Sequence, residues 1–212
     1  MIIAIPLFEQ VTALDAVGPY EVLQRLPGAE VVFVGHEVGS IRTDNGFLGM
    51  GVDVAFEEMN RPDVVVFPGG WGTRRLLEDE RVLSWLRTVH EKTRFTTSVC
   101  TGALVLAAAG LLDDLTATTH WSAYAELESL GAVPTAERVV EHLDRRVITA
   151  AGVSAGIDMA LRLSELLVDA DAAKAMQLII EYDPQPPFDA GSVAKAEASV
   201  LGRVAEYSKD RR

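Results

Sequence analysis

The pattern of hydrophobic and polar positions alternates between two kinds of segment along the chain. Short runs rich in β-branched apolar residues, such as DVVVF at Asp63–Phe67, predict strands that are buried on both faces. Between them lie segments with apolar residues three or four positions apart, such as the one that carries Val82, Leu86 and Val89, which predict helices. This alternation is typical of an α/β protein in which helices cover both faces of a parallel sheet.

The boundaries of the predicted elements follow from these runs and from the glycine and proline residues between them. The predicted strands are Ile2–Leu7, Ala29–Gly35, Asp63–Phe67, Arg94–Val99 and Ala117–Thr119, with a hairpin of Arg138–Leu143 and Arg146–Ala150. The predicted helices are Pro19–Leu26, Glu80–Glu91, Thr101–Ala109, Ser122–Leu130, Ser154–Val168, Asp171–Tyr182 and Val193–Ser208. Val38–Phe56 predicts short strands around a turn at Asp44–Gly46, outside the main sheet. We therefore expect one domain over residues 1–212, a flavodoxin-like three-layer sandwich with a mostly parallel central sheet and helices on both faces.

Composition and charge exclude several classes of protein. Of 212 residues, 49% are hydrophobic and 24% are charged, which argues against intrinsic disorder. The excess of 31 acidic over 19 basic residues gives a net charge of −12, which would repel nucleic acid and anionic membranes. The longest apolar run, Ala103–Leu112, has about half the length of a membrane span, and the first residues carry no basic targeting region. We expect a cytoplasmic protein with no nucleic-acid or membrane partner.

Cys100 is the single cysteine of the chain and its first candidate for chemistry. A lone cysteine is commonly a buried apolar residue, and that alternative stands beside the functional one. However, the predicted strand Arg94–Val99 leads directly into the predicted helix Thr101–Ala109, so Cys100 occupies a sharp strand-to-helix turn at the carboxyl edge of the sheet. The N-terminus of the helix favours a thiolate there and is expected to lower the pKa of Cys100.

Two further segments are expected at the same edge of the sheet. In the turn Pro68–Gly72, backbone N–H groups at Gly70 and Trp71, together with that of Thr101, are candidates for stabilising negative charge on a substrate; an ordinary glycine-rich turn is the alternative. Asp15 follows the first strand, which is normally central in such a sheet, so its carboxyl is a candidate proton donor beside Cys100. The alternative role for Asp15 is a helix cap.

His120 is the best histidine candidate, as a base or an orienting group, with a half-buried structural histidine as the alternative. The other three histidines show no ligand spacing with one another or with Cys100, so no metal site is expected.

Several longer motifs resemble the ThiJ/PfpI superfamily of class I glutamine-amidotransferase-like proteins. These are LDAVGPYEV, VVFPGGWGT and SVCTGALVLAAAGLLDDLTATTHW, and AAGVSAGIDMAL and QLIIEYDPQPPFDAGS match the isocyanide hydratase subgroup most closely. The resemblance implies a homodimeric, cofactor-free enzyme that hydrates an isocyanide to an N-substituted formamide. It further implies that Cys100 is the nucleophile, Asp15 the acidic residue beside it, Thr101 the residue that follows it, and Gly70–Trp71 the anion-stabilising loop.

Some residues differ from those of other members of the superfamily, and other functions remain as alternatives to isocyanide hydration. Thr101 stands where protease-type members carry histidine, which argues against peptide hydrolysis, and Asp15 stands where many relatives carry glutamate. A glyoxalase- or deglycase-like cysteine enzyme and a non-enzymatic cysteine redox sensor or stress protein remain alternatives. Regulators of the AraC type have a similar domain followed by a helix-turn-helix region. Because about twenty residues follow the proline-rich turn here, we do not expect this chain to be such a regulator unless it is a fragment.

Overall fold

The computed structural model describes residues 1–209, and its strands lie close to the positions that the apolar runs predict. The strands are β1 (Ile2–Pro6), β2 (Glu30–Gly35), β3 (Gly39–Arg42), β4 (Gly49–Val52), β5 (Val54–Ala55), β6 (Val64–Phe67), β7 (Phe95–Val99), β8 (Thr116–Ala117), β9 (Val133–Pro134), β10 (Val139–His142) and β11 (Val147–Ala150). The helices are α1 (Ala13–Leu23), α2 (Thr73–Leu76), α3 (Glu80–His90), α4 (Gly102–Ala108), α5 (Tyr124–Ser129), α6 (Ala155–Leu167), α7 (Ala170–Ile179) and α8 (Ala198–Lys209), with short 3-10 turns at Phe56–Glu58 and Trp121–Ala123.

Seven of these strands form the central sheet, in the order β10-β11-β7-β6-β1-β2-β5. Only the edge strand β10 runs antiparallel to its neighbour, while the other pairs are parallel. Every residue of β6 and of β11 is buried, as expected for strands covered on both faces. The predicted α/β fold with a mostly parallel central sheet is therefore confirmed.

The helices fall into two sets according to which of them pack together. Helix α6 contacts both α1 and α7, and helices α2, α3, α4 and α5 form a second connected set. Helix α6 packs on strands β7 and β11, and α4 packs on β7. The sheet is thus the middle of three layers, and β7 is covered by α4 and by α6.

Helix α1 begins six residues earlier than predicted. Because proline suits the first turn of a helix, the sequence favours a start at Pro19, but the helix begins at Ala13 and holds Pro19 in its interior. Tertiary packing explains this difference. A Cβ added at Gly18 would lie 3.1 Å from Ile157 of α6, and the Pro19 ring lies close to Gly156 on the same helix. This close contact with α6 outweighs the preference of the local sequence.

The smaller elements agree in part with the predictions. Strands β3 and β4 form a two-stranded antiparallel sheet outside the main one, as predicted for Val38–Phe56, although β5 from the end of this segment joins the main sheet beside β2. The predicted strand at Ala117–Thr119 is β8, which pairs with β9 in a small separate sheet. The one-turn helix α2 was not predicted, because the glycine-rich turn before it leads directly into it.

The chain divides into two compact units, Met1–Ile180 and Glu181–Arg212. The first contains the whole central sheet, and the second contains α8 and an ion pair between Lys195 and Asp189. A single domain over residues 1–212 stays a prediction. Among residues 1–209, no helix is long and apolar enough to cross a membrane.

Candidate active site

Cys100 lies at the sharp turn between β7 and α4, as the sequence predicts. Its φ is +57°, an uncommon conformation for a residue other than glycine. Hydrogen bonds on both sides hold this conformation. The Cys100 N–H donates to the carbonyls of Ala150 (3.0 Å) and Ala151 (3.1 Å), and the Thr119 hydroxyl donates to the Cys100 carbonyl (2.9 Å). The strained backbone is therefore built into the end of the sheet.

Glycine allows the helix after Cys100 to begin directly against the neighbouring strand. A Cβ at Gly102 would lie 2.2 Å from the carbonyl oxygen of Phe67, the last residue of β6. Gly102 therefore lets the backbone pack closely against the end of β6 behind the turn.

Asp15 lies in the first turn of α1 and is completely buried. Its Oδ2 accepts a hydrogen bond from the Gly69 N–H at 2.9 Å, and within residues 1–209 its Oδ1 has no hydrogen-bond partner. The N-cap of α1 is Thr12, so Asp15 does not have the alternative role of a helix cap. Burial raises the pKa of Asp15 from 3.8 to about 7, although Gly69 and Cys100 act in the opposite direction. Near neutral pH this carboxyl is therefore poised to gain or lose a proton.

The structure places Cys100 and Asp15 close enough to influence each other. Cys100 is 5% exposed, and burial first, then the negative charge of Asp15, raises the pKa of its thiol. The thiol and the carboxyl shift each other's pKa, although no hydrogen bond of ordinary geometry joins them. The backbone N–H groups of Val153 and Thr101 lower the pKa of Cys100, which is the effect predicted for the start of a helix, but burial outweighs it. The expected lowering of the pKa was therefore wrong in sign, and the resting thiol keeps its proton.

Thr101 connects this pair to the glycine-rich loop. Its hydroxyl accepts a hydrogen bond from the Gly70 N–H at 2.9 Å and lies 3.2 Å from the hydroxyl of Thr73. The Gly70 N–H, which the sequence suggests as an anion donor, is thus already engaged. By contrast, the Trp71 N–H donates no hydrogen bond within the described residues, so it is a donor available to a substrate, whereas the Thr101 N–H faces the Cys100 thiol.

His120 lies beside the site but is not hydrogen-bonded to Cys100. Its Nδ1 lies 2.8 Å from the Ser122 hydroxyl and accepts from the Ser122 N–H, so the proton of the neutral ring is on Nε2. Burial, followed by the positive charge of Arg74, lowers the pKa of His120. The ring also packs closely on Gly152, where a Cβ would lie 2.5 Å from its Cδ2. This geometry favours an orienting role for His120 over that of a base.

Sequence reasoning missed the backbone donors at Gly69 and Val153. Val153 has a φ of +38°, which is unusual for a β-branched residue, and its N–H faces the Cys100 thiol. Both donors belong to segments that the motifs single out, but a backbone N–H leaves no side-chain signal in a sequence. Within residues 1–209, no group of three or more His, Cys, Asp or Glu side chains is placed to hold a metal ion.

Fold and site together define a class: α/β proteins that carry a cysteine on a strained strand-to-helix turn beside a buried carboxyl group. Comparison with known proteins agrees, since the model of the DJ-1/PfpI family matches residues 1–166. The chain belongs to the DJ-1/PfpI family.

Individual relatives refine this assignment. The chain is 44% identical to the isonitrile hydratase of Pseudomonas putida over 195 residues, which is 92% of this chain and 84% of the relative. It is 30% identical to a deglycase of Pyrococcus horikoshii over 109 residues, which is 50% of this chain and 64% of the relative. Among solved structures, a ThiJ/PfpI family protein from Pseudomonas syringae superposes with a TM-score of 0.90 at 37% identity, and the match covers 99% of this chain and 88% of that one.

Proposed function

We propose that this protein is an isocyanide hydratase that converts R–N≡C and water to the formamide R–NH–CHO. The similarity to the isonitrile hydratase of P. putida along nearly the whole chain is the observation that carries the proposal. The pairing of Cys100 with Asp15 supports it, because the reaction requires a nucleophile and a proton donor on the same carbon atom. We further propose that the enzyme works without a cofactor, as a homodimer in the cytoplasm, on a small-molecule substrate.

In the first step, Cys100 and Asp15 act as a pair that shares one proton. Above a pH of about 7, the Asp15 carboxylate can accept the thiol proton as the sulfur attacks the terminal carbon of the isocyanide. A C–S bond forms, and the same proton then passes from Asp15 to that carbon. The product is the thioimidate R–N=CH–S–Cys100, which contains every atom of the substrate. Val153 N–H and Thr101 N–H stabilise the sulfur while it carries negative charge.

In the second step, water releases the product. Its oxygen adds to the thioimidate carbon, with Asp15 accepting one proton, and the C–S bond breaks. One water proton goes to the nitrogen and the other returns to the cysteine–carboxyl pair, which restores the thiol. The Trp71 N–H is a candidate donor to the negative charge that develops in this step.

A comparison of substrates tests the proposal. Purified protein is assayed with p-nitrophenyl isocyanide, methylglyoxal and a peptide, and Cys100→Ser and Asp15→Asn are assayed in parallel. We expect formamide only from the isocyanide, and a loss of at least about 10³-fold in Cys100→Ser. Mass spectrometry of rapidly quenched wild type should show an adduct equal to the protein plus one isocyanide. Full activity of Cys100→Ser would contradict the assignment of the nucleophile.

The deglycase relative favours one competing function. Such an enzyme would use the same cysteine, so turnover of methylglyoxal without turnover of isocyanides would overturn our proposal. The redox-sensor alternative has less support, because sensor cysteines are exposed thiolates, whereas Cys100 is buried with a raised pKa.

A further inference from the structure

Two of the three tryptophans are exposed, and both lie next to the reactive turn. Trp71 and Trp121 are each 43% exposed, whereas Trp85 is buried and donates its indole N–H to the Met59 carbonyl. Large aromatic side chains left partly in water next to a reactive group often mark a binding surface.

Hydrogen bonds of neighbouring residues place the chain at Trp71 and at Trp121 on either side of the strand that carries Cys100. Trp71 follows Gly70, whose N–H is bonded to Thr101, and this loop continues from β6. Trp121 lies two residues after Thr119, whose hydroxyl is bonded to the Cys100 carbonyl. Thr118 is in turn bonded to Thr149 of β11. Because β7 lies between β6 and β11, the tryptophans approach the end of β7 from opposite neighbours.

Neighbouring side chains restrain both indoles despite their exposure. The Arg74 guanidinium lies 5.3 Å from the centre of the Trp71 ring and is fixed by two hydrogen bonds of 2.9 Å to Glu126. The His120 ring lies 5.3 Å from the Trp121 ring and is itself held by Ser122. Side chains that are already ordered lose less conformational entropy when a ligand binds.

The charges around the indoles indicate what kind of ligand they suit. Arg74 brings a positive charge to this surface, but its ion pair with Glu126 offsets it. The indoles themselves offer apolar faces, and the net charge of −12 disfavours an anion. A flat, uncharged ring fits this environment better than a charged or very small group.

We propose that Trp71 and Trp121 form the subsite for the substituent R of the isocyanide, and that this subsite selects substrates whose R is a flat uncharged ring. This inference rests on the proposed hydratase function. The reactive end, N≡C, is linear, so a ring held at the rim by the indoles leaves the terminal carbon pointing inward to Cys100.

The test measures selectivity rather than activity alone. Values of kcat/KM for phenyl isocyanide and methyl isocyanide are determined for wild type, Trp71→Ala and Trp121→Ala. We expect the phenyl-to-methyl ratio of kcat/KM to fall by about tenfold in each variant, because loss of the indole removes a contact that only a ring substituent makes. Trp71→Phe and Trp121→Phe should retain most of the ratio, and they keep the test valid if an alanine variant is poorly folded.

Leu143→Ala is the matched control. Leu143 is 44% exposed, similar to the two tryptophans, but it lies in the turn between β10 and β11, which precedes the amino-terminal end of β11, whereas Cys100 follows the carboxyl end of the parallel strand β7. The phenyl-to-methyl ratio of kcat/KM for Leu143→Ala should equal that of wild type.

The outcomes separate the two proposals. If wild type hydrates neither isocyanide, the proposed function fails and the subsite fails with it. If wild type hydrates both and the ratio is unchanged in all four tryptophan variants, only the subsite is overturned. A loss of selectivity that accompanies a change in sedimentation would assign the tryptophans to an interface between copies of the chain, and would also overturn the subsite.

Discussion

Replacing Asp15 by asparagine should make the protein more stable, by an amount that depends on pH. The carboxyl is completely buried, and its pKa is about 7 in the folded protein against an ordinary value of 3.8. Asparagine has nearly the same shape, can still accept the Gly69 N–H bond, and carries no charge to desolvate. The variant therefore removes the cost of ionising Asp15 while it keeps most of the packing.

The size and the sign of this effect follow from proton linkage. Below a pH of about 3.8 the carboxyl is protonated in both the folded and the unfolded chain, so its raised pKa costs nothing. Between 3.8 and about 7 the unfolded chain has lost the proton and the folded chain keeps it, so stability falls as pH rises. At 1.36 kcal/mol per pH unit, the full cost above pH 7 is about 4 kcal/mol. About 2 kcal/mol of this cost develops between about pH 5.5 and pH 7.

Urea unfolding followed by tryptophan fluorescence, from about pH 5.5 to pH 8, measures this cost. The quantity of interest is the free energy of unfolding of Asp15→Asn minus that of wild type, because the contributions of other titrating groups cancel in the difference. The range ends below the pH at which an unfolded cysteine ionises. Asp53→Asn is the matched control, since Asp53 also accepts a backbone N–H, from Phe33, but is exposed and is not desolvated. A difference for Asp15→Asn that does not change with pH would refute the reasoning.

Three other predictions concern the same site. In wild type, kcat/KM for an isocyanide should rise with pH through about 7, as Asp15 loses its proton, and Asp15→Asn should lack this rise; a profile that is flat from about pH 6 to pH 8 would contradict the shared-proton mechanism. Thr101→Val removes the buried acceptor of the Gly70 N–H, so thermal and urea unfolding should show a loss of about 1–3 kcal/mol, and Thr101→Ser should recover most of it. Gly102→Ala places a Cβ against the Phe67 carbonyl, so calorimetry should show a lower Tm and a loss of at least about 1–3 kcal/mol; an unchanged Tm would mean that the backbone behind the turn is not closely packed.

The sequence predicts best the elements whose burial follows from their own run of apolar residues. Strands β6 and β7 lie within one residue of their predicted limits, because continuous β-branched runs have few other ways to be buried. The predicted start of α1 was wrong, because the contact between Gly18 and Ile157 of α6 is a property of the tertiary structure and not of the local sequence.

For the site, the sequence identified the candidate side chains Cys100 and Asp15 but not the direction in which the fold shifts the pKa of Cys100. Cys100 and Asp15 were identified from their positions after two strands, and they interact as expected. The predicted effect of the helix start is present, because the Thr101 N–H lowers the pKa of Cys100. Burial raises this pKa by more, so the net shift is upward. The surroundings of Cys100 include residues that are distant in sequence, such as Val153, whose N–H faces the thiol. The direction of the pKa shift of Cys100 could therefore be predicted only from the complete fold.

The raised pKa values of Cys100 and Asp15 have a common cause, and this cause links the stability of the protein to its proposed chemistry. Burial raises the pKa of Asp15 into the range where its carboxyl can exchange a proton near neutral pH. Burial also raises the pKa of Cys100, so the thiol keeps its proton until an acceptor is available. An exposed pair would be a carboxylate and a thiol that did not share a proton, and the carboxylate would be a poor acid. The cost of about 4 kcal/mol at Asp15 is therefore the energetic counterpart of the proton donation that we propose for this carboxyl. A variant such as Asp15→Asn should gain stability and lose turnover together, because both effects arise from the same buried carboxyl.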